Sequence, residues 1–170
     1  MYDFKLDFKN DLLGSGKYGY VYKAFFPRIN NYVALKMIYK TNDEKQIKNI
    51  KREYEVMKNV DNENLEKIIG SFDDINPMDN KQCYFFVLEF IEGENLDKVL
   101  KNHISEKKNI DQDLIMKIFF GIENGLKYLH ENGIIHRDIA PDNIMMDKNK
   151  NIKITDFGLS AYYIQYGNLP

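Results

Sequence analysis

What most constrains this 170-residue chain is a change of hydrophobic period near Glu89–Asn95. Beyond it, Leu114, Ile115, Ile118, Phe119, Ile122, Leu126 and Leu129 recur every three or four residues until Gly133, which fits a C-cap. The spacing predicts one long, strongly apolar helix. Before the change, Phe4, Leu6, Phe8 and Val33, Leu35 alternate with the period of strands, and the turn-like Pro27–Asn31 separates two of them. The one helix of this front half starts at Thr41-Asn42-Asp43-Glu44, which fits a capping box, and carries Ile47, Ile50, Tyr54 and Met57 at helical spacing. Further strands are expected around Leu65–Phe72 and Tyr84–Glu89, and a hairpin from Ile144–Met146 and Ile152–Ile154 around Lys148-Asn149-Lys150-Asn151. The reading is α+β, with enough chain for one ordinary core or two small ones.

Composition narrows the function classes. At 44% hydrophobic and 29% charged residues the chain lies far from disorder. A formal charge of −2 supplies no field for a phosphate backbone, so nucleic acid is not an expected partner. Cys83 is the single cysteine, which excludes an intramolecular disulfide and suits a reducing compartment. The opening MYDFKLDFKND has no signal-type apolar block, and the longest apolar stretch runs only from Cys83 to Leu88. A cytoplasmic protein without membrane contact is expected.

Three motifs carry chemistry. Gly14-Ser15-Gly16-Lys17-Tyr18-Gly19-Tyr20-Val21 lies between strand-like segments, where glycines let backbone amides approach phosphate oxygens and supply dihedrals only glycine adopts cheaply. Taken alone it is equally a glycine-rich hairpin turn. A Rossmann unit is disfavoured, because the residues after Gly19 are strand-like where that fold needs a helix. Val33-Ala34-Leu35-Lys36 puts Ala34 and Lys36 on one strand face. Glu53, on the inward-tending face of the capped helix, is the candidate partner of Lys36; a snorkelling Lys36 and a solvated Glu53 are the alternatives. Finally, His136-Arg137-Asp138 with Asn143 five residues on, and Asp156-Phe157-Gly158 past the hairpin, offer two carboxylates and a carboxamide as hard oxygen donors of the kind Mg²⁺ prefers. Each motif has a bland explanation by itself, but the joint chance occurrence of the glycine motif, His136-Arg137-Asp138 with Asn143, and Asp156-Phe157-Gly158 is on the order of one in a million.

In this order the motifs resemble the eukaryotic-type protein kinase family, over Leu12 through Gly158. The resemblance implies a five-stranded antiparallel N-lobe with one helix over residues 1–90, a hinge region at 91–95, and a partial, mainly helical C-lobe over 96–170 that ends in the activation segment. It implies ATP and Mg²⁺ as cofactors and a protein hydroxyl as substrate. Gly14, Ser15, Gly16 and Gly19 would cover the phosphates. Lys36, paired with Glu53, would hold the α- and β-phosphates. Asp138 would accept the substrate proton, while Asn143 and Asp156 bind the metal. Leu88 would be the gatekeeper, Glu89 to Ile91 the hinge that pairs with adenine, and Val21, Ala34 and Met145 the sandwich around the base, with Asn95 near the ribose. Met57, Ile68, His136 and Phe157 would form the spine of the two lobes.

Two departures qualify the resemblance. Ala140 stands where serine/threonine members usually carry a lysine that touches the transferring phosphate, and Ile139–Asp142 contains no cation; the Pro141-Asp142-Asn143 run favours the serine/threonine type. The sequence also stops at Pro170, before the A-P-E signature and the helices that come after it in the family. Hence the face of the helix over 114–132 with Ile118, Ile122 and Leu126 is expected to need a partner or a further segment as cover. Ser160, Tyr162, Tyr163 and Tyr166 resemble the start of an activation segment, and a frayed terminus is preferred there. The resemblance therefore leaves two alternatives to an active kinase: a catalytically impaired nucleotide-binding or scaffold module, and a gene fragment.

Overall fold

The computed structural model describes residues 3–16 and 19–163, so Lys17, Tyr18 and Tyr166 lie outside the described residues. The architecture is α+β, and the chain divides into two compact units, Met1–Lys48 with Ile68–Phe90 and Asn49–Lys67 with Ile91–Pro170.

The first unit is built on an antiparallel sheet of β1 (Leu12–Gly16), β2 (Gly19–Phe26), β3 (Asn31–Tyr39), β4 (Ile68–Ile75) and β5 (Gln82–Glu89), in the order β1-β2-β3-β5-β4. Period-two alternation gives the sheet two faces. One carries the core: Tyr22, Ala24, Phe26, Val33, Leu35, Met37, Cys83, Phe85 and Val87 are all buried together. Phe4 and Phe8 cover this core; Phe4 lies 4.6 Å from Phe26 and 5.6 Å from Phe72, and Phe8 5.0 Å from Tyr22, as ring centroids. The alternation at Phe4–Phe8 is thus an apolar strap rather than a sheet strand, tied down by one antiparallel bridge between Lys5 and Phe25.

Helix α1 (Glu44–Lys58) spans the division between the units. Its start differs from a capping box at Thr41. Asp43 is the cap, Oδ1 accepting from the backbone N–H of Lys45 at 2.9 Å and of Gln46 at 3.3 Å, while Thr41 Oγ1 accepts from Asp43 N–H. A carboxylate one residue from the helix outcompetes a more distant hydroxyl for these orphan donors.

The second unit holds β6 (Gly93–Asn95), α2 (Leu96–Ser105), α3 (Gln112–Glu131), β7 (Ile134–Ile135), β8 (Ile144–Asp147), β9 (Ile152–Ile154) and β10 (Ala161–Tyr162). The hairpin β8–β9 pairs with β6, and β7 with β10. Helix α3 ends as its sequence suggests, with Gly133 at φ +70°. The expected strand start at Leu65 is instead a parallel bridge to Ile154: Glu66 N–H donates to Ile154 O at 2.9 Å and Ile154 N–H to Asn64 O at 2.8 Å. These bonds explain why Asn49–Lys67 belongs to this unit. No helix among the described residues is long and apolar enough to cross a membrane.

Glycines one turn apart set the approach of α3 to β9. A Cβ at Gly121 would stand 2.5 Å from Ile152 Cβ, and one at Gly125 2.9 Å from Ile154 Cδ1. In an unencumbered helix Gly→Ala gains about 1 kcal/mol. Here overpacking outweighs it, and Gly121→Ala is expected to lower the urea unfolding free energy by roughly 1–2 kcal/mol. A gain in stability on that substitution would contradict this packing.

Candidate active site

On the sheet of the first unit, antiparallel register sets Val21 opposite Lys36, Lys36 opposite Phe86, and Ala34 opposite Leu88. Directly paired residues share a face, so Val21, Ala34, Lys36 and Leu88 all project from the face opposite the buried core. Ala34 and Leu88 are buried there, while Lys36 and Glu89 are half-buried. Gly19 is required by packing, since a Cβ would collide with the carbonyl of Met37. Gly14 and Gly16, bracketing Ser15 in β1, have nothing within 4 Å of an added Cβ, and none of the three glycines has a positive φ. The expectation that these glycines serve special dihedrals is therefore corrected. What Gly14 and Gly16 contribute is open space above the backbone, which a bulky anion can occupy.

In the second unit, Asp138, Asn143 and Asp156 come together through short links. Asn143 Nδ2 donates to Asp138 Oδ2 at 2.9 Å and to Asp138 O at 3.0 Å. Thr155 N–H donates to Asn143 O at 2.9 Å, which sets the residue before Asp156 against Asn143. His136 completes the frame. A carbonyl can only accept, so Nε2 carries the proton and donates to Thr155 O at 3.1 Å, while Nδ1 accepts from Asp138 N–H at 3.3 Å. The imidazole packs edge-on against Phe157, centroids 5.2 Å apart, and both residues are buried.

Two of the six described non-glycine residues with positive φ lie at the same place. Arg137 and Asp156 adopt left-handed φ of 68° and 59° without being glycine. Arg137 is held by Nε donating to Leu159 O at 2.6 Å, and Asp156 Oδ1 accepts from Gly158 N–H at 3.3 Å. Such conformations persist where surrounding structure over-determines them. Glu53 is buried at 6% exposure beside this turn, its Oε2 3.6 Å from where a Cβ of Gly158 would stand. Lys36 lies in the first unit and Glu53 in the second. Ile91 and Met145 are half-buried in the second unit, Met145 paired with Asn95. Asn95 Oδ1 is the N-cap of α2, accepting from Lys98 N–H at 2.9 Å.

The donor chemistry suits Mg²⁺. Among the described residues no group of three or more His, Cys, Asp or Glu could hold a metal ion alone. With Nδ2 of Asn143 committed to Asp138, its Oδ1 is the carboxamide oxygen left to serve a cation, and Asp156 adds a carboxylate. Two protein oxygens with the remaining positions left to phosphate and water is the usual Mg²⁺ arrangement. Reading the sequence missed helix α2, the double use of the His136 ring and the left-handed Arg137; of these only Asn95, a good N-cap before Leu96, left a signal.

Residues 8–168 match the family model of the protein kinase domain. The chain belongs to the protein kinase domain family. It is 35% identical over 153 residues to an aurora kinase of Schizosaccharomyces pombe, covering 88% of this chain and 40% of that protein. It is 33% identical over 153 residues to a probable serine/threonine-protein kinase of Clostridium perfringens, covering 87% and 20%. The MAP kinase kinase MKK1/SSP32 of Saccharomyces cerevisiae is 33% identical over 151 residues, covering 88% and 29%. The protein kinase chain thus spans well under two thirds of the length of these relatives.

Burial holds the His136 imidazole below its ordinary value of 6.5, against the opposing pull of the Thr155 hydrogen bond and the Asp156 and Asp138 charges. The folded protein therefore binds fewer protons than the unfolded chain in this window. The contribution is full above pH 6.5, falls as pH drops through that value, and stops falling below the depressed folded pKa. Urea unfolding at about pH 7.5 should show greater stability than at about pH 5.5, and His136→Phe should lose part of this slope. Parallel traces for the two proteins would disprove the assignment.

Proposed function

We propose that the chain is the nucleotide-binding and catalytic-loop portion of an ATP- and Mg²⁺-dependent protein kinase, transferring the γ-phosphoryl group to a protein hydroxyl. The observation that carries this reading is the clamp of Asn143 on Asp138, with Thr155 tying Asn143 to the turn at Asp156. Phosphoryl transfer asks chiefly for positioning and charge neutralisation. In this reading Asp138 orients the substrate hydroxyl and accepts its proton, its carboxylate steered by the Asn143 carboxamide. Asn143 Oδ1 and the Asp156 carboxylate hold Mg²⁺, which when bound neutralises developing phosphate charge. The reading assigns Lys36 to the α- and β-phosphates with Glu53 as counter-charge, and the strand ends carrying Gly14, Ser15, Gly16 and Gly19 to phosphate oxygens, with the open space at Gly14 and Gly16. Val21, Ala34, Leu88, Glu89, Ile91 and Met145 take the base, and Asn95 the ribose. The serine/threonine type is supported by Pro141-Asp142-Asn143 and by the name of the Clostridium relative. The single buried cysteine supports a cytoplasmic setting.

A second reading, an impaired nucleotide-binding or scaffold module, is favoured by Ala140 and by exposed apolar residues of α3. These are Ile115 and Phe119 rather than the expected Ile118, Ile122 and Leu126, which are half-buried, Ile118 and Ile122 packing on the Leu96, Ile144 and Ile152 cluster. Calorimetry separates binding from turnover. Lys36→Met and Asp156→Ala should each weaken Mg·ATP binding at least about tenfold; equal affinity in all three proteins would sink the nucleotide site altogether. Phosphorylation of a generic serine peptide should vanish in Asp138→Asn. Ala140→Lys should raise the transfer rate by up to about a hundredfold with little change in nucleotide affinity. Binding without any transfer, in that variant too, would favour the scaffold reading.

A further inference from the structure

The sheet face that bears Val21, Ala34, Lys36 and Leu88 continues outward into an aromatic row. Lys23 pairs with Ala34 and Ala34 with Leu88; beyond them Phe25 pairs with Tyr32, and Phe90 follows Glu89, the last registered partner of β3. Paired residues share a face and alternation returns every second residue to it, so Lys23, Phe25 and Tyr32 stand on the same face as Ala34. Phe25 and Tyr32 meet edge-on at 5.5 Å between centroids, and Tyr32 and Phe90 lie 6.4 Å apart. Lys23 Nζ sits over both of the latter rings, 4.3 Å from the centroid of Tyr32 and 4.7 Å from that of Phe90. All of these residues belong to the first unit, with Phe90 its last residue.

A lysine on a strand ordinarily lays its stem on the sheet and sends its ammonium to water. Lys23 turns along the sheet instead, and two ring faces receive its charge, each through its negative quadrupole. Phe90 is the residue that gains most from this tether. Strand β5 ends at Glu89, so Phe90 lies past the registered ladder, and its neighbours in the row are Lys23 and Tyr32, itself 48% exposed.

We propose that Lys23 is a positioning residue for the nucleotide base: its ammonium draws Phe90 onto Tyr32 and so fixes the main chain of Glu89 and Phe90, beside which the base is held. The inference rests on the nucleotide reading given above and adds to it a residue that need touch neither phosphate nor metal. A cation over two partly exposed rings shifts an equilibrium by about three- to tenfold, a range that calorimetry resolves.

The test compares the full chain with Lys23→Met, which keeps the stem and removes the charge, and Lys23→Arg, which keeps a cation able to stack on the rings. Affinities are measured for adenosine, which offers base and ribose alone, and for Mg·tripolyphosphate, which offers phosphate alone. Adenosine should bind Lys23→Met about three- to tenfold more weakly and Lys23→Arg within about twofold of the unsubstituted chain, with tripolyphosphate affinity equal in all three. Amide exchange at Glu89 and Phe90 should quicken in Lys23→Met and return in Lys23→Arg. Tyr32→Leu, at an exposed position where folding tolerates change, removes one ring and should lose adenosine affinity in the same direction. Unchanged adenosine affinity in Lys23→Met overturns the proposal. So does a loss on tripolyphosphate, which makes Lys23 a phosphate contact, or a loss that Lys23→Arg fails to restore. A lower thermal midpoint with adenosine affinity intact also overturns it, the cluster then being a structural brace alone. If the unsubstituted chain binds neither adenosine nor Mg·ATP, the nucleotide reading itself falls and the positioning role with it.

Discussion

The second unit depends on the main chain from Ile152 to Thr155 being hydrogen-bonded on both edges. On one side the segment Asn64–Glu66 runs parallel to it and exchanges bonds with Ile154, while Asn64 Nδ2 takes the carbonyl of Ile152. On the other, Thr155 gives its N–H to Asn143 and its carbonyl to His136. A strand gripped this way has little freedom of translation, so Asp156 and Phe157 leave it in a fixed direction. This is why Asp156 can persist at φ 59°. Strain of that kind, on the order of 1–3 kcal/mol, survives only when neighbouring bonds outweigh it.

The same grip explains how few groups are needed to organise the Asp138 carboxylate. Its backbone N–H goes to His136, its carbonyl and Oδ2 to Asn143, and both of those partners are fixed by the single residue Thr155. A charged His136 would lose the Nδ1 lone pair that receives Asp138 N–H, so burial, by keeping the ring neutral, also keeps the loop in register. Packing and electrostatics act through one residue here: the apolar contact with Phe157 desolvates the ring whose tautomer the loop requires.

Legibility in the sequence tracks the range of the interactions. The long helix α3, its Gly133 terminus and the β8–β9 hairpin are readable because period, cap and turn are local. The face shared by Val21, Ala34, Lys36 and Leu88 is half readable: alternation within Val33–Lys36 is local, but the register that adds Val21 and Leu88 is not. Leu65 misleads because an apolar residue entering a parallel bridge with a distant hairpin looks like the start of the next strand. Glycines mislead in the opposite sense. Gly14, Gly16 and Gly19 look like dihedral requirements, yet one is a packing necessity and the others leave space. Gly121 and Gly125 give no sign of the close helix–strand approach they permit. Sequence motifs name the acidic residues of the candidate site, but not the backbone bonds that gather them, since nearly any residue at position 155 would offer the same N–H donor and carbonyl acceptor.

Ala140 can be weighed against this network. None of the bonds that position Asp138 passes through the side chain at 140; only the carbonyl of Ala140 takes part, accepting from Asn143 N–H at 3.0 Å. Replacing a cation by a methyl group at that point therefore removes charge without loosening the frame. Geometry and charge make separable contributions to phosphoryl transfer, the first through orientation and the second through stabilisation of the transferring group. On the proposed kinase reading, a chain that keeps the first and gives up part of the second would retain a formed site with a barrier raised by roughly 3 kcal/mol, the amount one well-placed donor contributes. In that reading the hydrogen bonds around Asp138 and the charge missing at position 140 are independent features, so loss of the second leaves the first intact.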